Sequence, residues 1–138
     1  MFQIPELSFF VDLALVLAIG FFLGWERKGA GKILGERSMI LLILGAFIFT
    51  YASLNVGTDH GRVVAQVVSG VGFIGGGIIL KKGEKDILNL TTAIMVWTVA
   101  ALGVLIGLGM RTEAILASII IFVVLKMGHR KPRQNNQE

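Results

Sequence analysis

The sequence predicts an all-α, polytopic membrane protein of about five transmembrane helices, with its N-terminus outside and its C-terminus inside. Two observations carry that prediction. First, 54% of the 138 residues are hydrophobic and the mean hydropathy is +0.78. They gather into five apolar blocks, 7–25, 39–56, 63–80, 93–110 and 114–125, and a span needs about 20 mainly apolar residues. Second, the 13 Lys and Arg residues are unevenly placed. Arg27, Lys28, Lys32 and Arg37 follow the first block, Lys81, Lys82 and Lys85 the third, and Lys126, Arg130, Lys131 and Arg133 the fifth. Only Arg62 and Arg111 fall in the alternate connections. Positive charge in short loops stays cytoplasmic, so this split sets the direction of every helix.

These quantities bound the function. Residues 1–127 form one transmembrane domain and 128–138 a short basic cytoplasmic tail, which leaves no room for a soluble catalytic module. The pI of 9.8 would suggest nucleic acid in a soluble protein. Here the basic residues flank membrane segments, and anionic lipid headgroups account for them better. The partner implied is the lipid bilayer, with no nucleic acid. There is no cysteine, hence no disulfide or thiol chemistry. His60 and His129 are isolated, and no zinc spacing, P-loop or dinucleotide fingerprint is present. An enzyme is not expected, nor a cofactor. With no basic segment before the first block and no A-x-A pattern after it, a cleaved signal peptide is not expected either.

Taken in order, the elements place their polar residues unevenly. In the first helix Asp12, Ile19 and Glu26 are seven apart and share a face, but Asp12 and Glu26 lie about 21 Å apart along the axis. Asp12 reads as a carboxylate reaching the outer interface, as one paired to Arg62 of another helix, or as an ion- or proton-handling group. Glu26–Arg27 reads as a juxtamembrane anchor and ion pair or as a site, with Gly20 and Gly24 near the stripe. The second block contributes its basic entrance at Arg37.

The third helix opens beside Asp59 and is the most unusual. Arg62, Gln66, Ser69, Gly70 and Gly77 share a face that is polar outside and bare toward the middle. Gly72 and Gly76 form a small-x-x-x-small pair suited to close helix packing. Gly75, Gly76 and Gly77 offer a second reading, a broken helix whose carbonyls line a cavity.

Asn89 is placed to cap the fourth helix, where Thr91, Met95 and Thr98 share a face and Thr92 and Trp97 lie nearby. Gly103 and Gly107 form a second small pair. A tight turn at 109–112 makes helices four and five an antiparallel hairpin. The fifth block has only 12 residues, short enough to read as interfacial. The charge rule nevertheless assigns it a crossing, with Glu113 and Lys126 at its ends.

Three ordered motifs resemble the MgtC/SapB family of membrane proteins over about residues 12–109. Gly20-x-x-x-Gly24-Trp25-Glu26-Arg27 is similar to that family's G-x-x-x-G-x-E-R. The run from Arg62 through Gln66, Ser69 and Gly70 to Gly77 resembles R-x-A-A-Q-V-V-S-G-I-G-F-L-G-A-G. Asn89-Leu90-Thr91-Thr92-Ala93, followed by Trp97, is close to G-L-T-T-A. The chain departs at Met39, where the family pattern has His, at Gly76, where Ala is usual, and at Asn89, where Gly is usual. Longer members also carry a soluble C-terminal domain.

The resemblance implies a multi-pass protein of the bacterial inner membrane, tied to magnesium homeostasis and in some pathogens to virulence. It also implies restraint of a membrane partner, the F-type ATP synthase. Two functional expectations follow. One is a non-enzymatic regulator whose small faces, at Gly72, Gly76, Gly103 and Gly107, contact helices of a homo-oligomer or a partner. The alternative is a magnesium or proton pathway lined by Asp12, Glu26, Gln66, Ser69 and Thr91.

Overall fold

The computed structural model describes residues 7–29, 34–56, 59–82 and 86–127. Among these, five helices appear in the expected order: α1 (Leu7–Gly29), α2 (Glu36–Val56), α3 (His60–Ile78), α4 (Leu90–Gly107) and α5 (Arg111–Met127). One element lay outside the expectation. A two-stranded antiparallel hairpin, β1 (Leu80–Lys82) and β2 (Asp86–Leu88), joins α3 to α4, pairing Leu80 with Leu88 and Lys82 with Asp86. The basic tail at 128–138, Lys28's side chain and Lys32 lie outside the described residues.

Four helices, α1 to α4, are long and apolar enough to cross a membrane. The fifth expected span is α5, whose 17 residues reach about 25 Å, short of the roughly 30 Å hydrocarbon core. It nevertheless runs beside α1 in the same direction. Arg111 at its start meets Asp12, and Phe122 near its end stacks on Phe22 with ring centroids 4.3 Å apart. The protein is thus a multi-pass, all-α membrane bundle with one small hairpin.

Glycines set the spacing of the bundle. A Cβ on Gly24 would sit 2.3 Å from the Glu36 Cα, and one on Gly20 2.8 Å from the Ile40 Cα, so α1 and α2 touch backbone to backbone. On α4, a Cβ on Gly103 would lie 2.3 Å from the Ile43 carbonyl oxygen, and one on Gly107 2.7 Å from the Thr50 Cβ. The pair read as a contact face for other proteins therefore packs inside the molecule, against α2. The core that these approaches create is apolar, with Val16, Leu23, Met39, Ile43, Phe47 and Val99 fully buried. Burial is strongest for α4, at 56% of its span, and weakest for α3, at 11%.

The connections are specified locally. Asp59 caps α3 by accepting a hydrogen bond from the Arg62 amide, 3.3 Å. His60 Nδ1 lies 2.6 Å from the Ser53 carbonyl oxygen, which ties the start of α3 to the end of α2. The glycine triplet does not break α3, which stays helical through Gly75, Gly76 and Gly77 and ends at Ile78. Where water is absent, an intact helix is what keeps those amides and carbonyls hydrogen-bonded.

Asn89 occupies the cap position of α4, but its side chain makes no capping bond. Its backbone is left-handed, φ 63°, and its Nδ2 points to the Ile78 carbonyl oxygen at 3.5 Å. Gly109, φ 79°, closes the α4–α5 turn. The Met110 amide bonds the Leu105 carbonyl and the Gly109 amide that of Ile106, the paired bonds of a Schellman turn.

Candidate functional site

Helix direction brings the candidate polar residues to two opposite ends of the bundle. At one end Asp12 is buried, 6% exposed, and Arg111 grips it with two parallel hydrogen bonds, Nε to Oδ1 at 2.6 Å and Nη2 to Oδ2 at 3.1 Å. Nη2 also donates to the Ser8 carbonyl oxygen at 3.2 Å. The partner of Asp12 is therefore Arg111 and not Arg62, which instead forms an exposed pair with Asp59 at 3.3 Å. Arg111 was legible only as one of two positive charges on the outer side. The tight turn ahead of α5 sets it at the depth of Asp12, and matching depths would have paired the two.

At the other end, Arg27 is 3% exposed. Its Nη2 donates to Thr92 Oγ1 at 3.1 Å across 65 residues of sequence, while its Nε is buried with no hydrogen-bond partner. Four helices converge here, because Gly24 of α1 admits the Glu36 backbone of α2 and Gly75 of α3 approaches the Ala93 carbonyl oxygen of α4, 3.3 Å from an added Cβ. Glu26, beside Arg27, is half-buried. Sequence reasoning singled out Arg27 and Thr92 separately; their contact emerges from helix direction. Thr91, its neighbour, points outward and is exposed. Thr98 is spent on its own helix, donating to the Ile94 carbonyl oxygen at 2.9 Å.

The remaining candidates join neither end. Arg37 is exposed at the start of α2. Gln66, Ser69 and Gly70 are exposed on α3, as are Gly72, Gly76 and Gly77. Gln66 borders an apolar groove of about 420 Å³ between α2 and α3, lined also by Leu41, Phe49, Val67 and Ile74. Trp97 is half-exposed and borders a smaller cavity of about 120 Å³ between α3 and α4. Among the described residues no three His, Cys, Asp or Glu side chains cluster as metal ligands.

The two ends are separated by a largely apolar core. Between Asp12 and Arg27 the inward positions of α1 are Val16, Ile19 and Leu23, which meet Met39, Ile43, Met95 and Leu102. The arrangement can pin helices together at each end. The buried hydroxyls of Thr50, Ser53 and Ser118 each donate to a carbonyl of their own helix, so the described interior carries no continuous polar route between the ends.

A family model described as the MgtC family matches residues 13–133. Over 114 residues the chain is 37% identical to Protein MgtC of Salmonella typhimurium, covering 82% of this chain and 49% of that protein. Over 133 residues it is 37% identical to the putative magnesium transporter YhiD of Escherichia coli, covering 89% of this chain and 61% of that one. A protein of Haemophilus influenzae is 30% identical over 152 residues, 97% of this chain and 64% of its own length. The chain thus spans about half to two-thirds of the curated relatives it matches. No solved structure matches.

Proposed function

Because the chain belongs to the MgtC family, we propose that it is a non-enzymatic regulator in magnesium homeostasis, seated in the bacterial inner membrane and acting through helix contacts within the bilayer. The observation that supports this reading is the interior between Asp12 and Arg27, where the inward side chains of α1 are apolar and the buried hydroxyls of Thr50, Ser53 and Ser118 bond to carbonyls of their own helices. An ion crossing hydrocarbon needs charged or polar groups along its way, and the described interior offers no connected set of them between its two ends. Its polar and small residues face outward on α3 instead, where another helix can reach them. A membrane partner such as the F-type ATP synthase fits a protein that works by such contacts.

The second reading, a magnesium or proton pathway, draws on the name of the Escherichia coli relative. It needs Asp12, Glu26, Gln66, Ser69 and Thr91 along one route. In this fold Asp12 is locked to Arg111, and Gln66, Ser69 and Thr91 face outward.

The deciding experiment is magnesium and proton flux into liposomes holding the purified chain, with Asp12→Asn and Glu26→Gln at matched reconstitution. The regulator reading expects flux no greater than in empty liposomes. Flux in wild type that both variants lose would overturn it in favour of the pathway.

A further inference from the structure

Beyond the first turn of α3, four of its glycines have no close neighbour within this molecule. A Cβ added at Gly70, Gly72, Gly76 or Gly77 would touch nothing within 4 Å, whereas one at Gly24, Gly103 or Gly107 would collide with a neighbouring helix. Glycine inside a helix is less favourable than alanine, and at these four positions no internal packing offsets that cost. Ala65, Ser69, Gly72 and Gly76 follow the spacing of one helix face, and all four are exposed.

A second observation comes from the adjoining polar groups. Gln66 and Ser69 are exposed and have no side-chain hydrogen-bond partner among the described residues. Gln66 lies six residues into α3, roughly 9 Å from its start, and Ser69 is near mid-span. An amide left exposed at that depth forfeits hydrogen bonds that water would supply, which is costly in hydrocarbon.

We propose that this face of α3 forms a two-fold interface with a second copy of the chain. The inference deepens the regulator reading by naming a partner. The chemistry points to a copy because a glutamine amide both donates and accepts, so Gln66 of one chain satisfies Gln66 of the other. Two copies inserted in the same direction present each residue at the same depth, and a two-fold axis sets like against like. No charged residue occurs from 63 to 79 to oppose the pairing. Arg62, just outside, already carries Asp59 as its counter-ion. Gly72 and Gly76 let the two backbones approach closely, the contact on which helix association in lipid depends.

The natural absence of cysteine makes the test direct. Ser69→Cys, Gly72→Cys and Gly76→Cys would each be oxidised in native membranes beside two controls exposed on other helices, Phe21→Cys and Ile120→Cys. The expected result is a band at twice the 14.9 kDa monomer mass from the α3 positions and not from the controls. Adding Gly76→Leu or Gln66→Leu to the Ser69→Cys chain should cut its yield roughly tenfold, with membrane accumulation unchanged. Should either leucine variant fail to accumulate, the pattern of the single cysteines decides alone. Equal bands from the controls, none from α3, or an α3 band of another mass would overturn the second copy. Flux with α3 cross-links intact would refute the regulator and leave the interface standing.

Discussion

Asp12 and Arg111 meet across 99 residues of sequence, and their exposures differ: the Asp12 side chain is 8% exposed and that of Arg111 40%. Removing either partner is therefore not equivalent. Arg111→Ala strands a buried carboxylate and should be the more destabilising change. Asp12→Asn leaves an arginine that can turn to water, and should cost about 1–2 kcal/mol. Thermal unfolding in detergent should order the two in that way, and the double variant should lose less than their sum. The charge within an apolar block made Asp12 visible in the sequence. Its partner was hidden, because pairing depends on how deep each helix end sits. Asn89 was visible too, but as a cap. Its φ of 63° accounts for the residue better, since only Gly, Asn and Asp enter that region readily. Asn89→Gly should leave stability unchanged or higher, while Asn89→Val should cost about 1–2 kcal/mol. The reverse order in the same melting experiment would refute the backbone argument.

At the scale of the element, small-residue spacing revealed which helices have close approaches but not which side of the bundle they serve. Gly103–Gly107 and Gly72–Gly76 read alike in sequence. The first pair meets α2 within 3 Å of an added Cβ, and the second meets nothing. Gly103→Ala should therefore overpack the α2–α4 contact and cost about 1–3 kcal/mol, whereas Gly72→Ala should leave the isolated monomer as stable as before or more so. Detergent melts of monomeric protein separate the two, and an equal loss in both would contradict the assigned faces. The glycine triplet teaches a related point. Three adjacent glycines favour a break in water, but here every amide that left the helix would have to find a partner without water, and α3 runs on to Ile78. The hairpin after it was not legible, since its strands have three residues each and too little sequence to show alternation.

Across the whole molecule, the split of basic residues and the helix contacts describe one topology by independent routes. Parity places Asp12 and Arg111 at the same end and Arg27 and Thr92 at the other, and the hydrogen bonds join those pairs. The number of helices and their directions were legible because lipid leaves few alternatives to spanning apolar helices; the core contacts were not, because nearly every residue in the blocks is apolar whichever way it faces. The fifth helix is where length and topology pull apart. Its 17 residues fall short of a full span, yet its alignment with α1 carries Met127 toward the end that holds Arg27. Lys126 lies over the Phe122 ring at 4.8 Å, an amphipathic arrangement that lets its ammonium reach an interface while its stem stays against apolar surface. Labelling single cysteines with a membrane-impermeant maleimide tests the crossing. Leu108→Cys, in the exposed turn before α5, should react in intact cells. Met127→Cys should react only once the membrane is opened. If both label from outside, α5 lies on the outer surface, and its basic end contradicts the charge rule. If Met127→Cys labels from outside and Leu108→Cys only after opening, the orientation of the entire bundle is reversed; if both label only after opening, α1 to α4 are reversed and α5 does not cross.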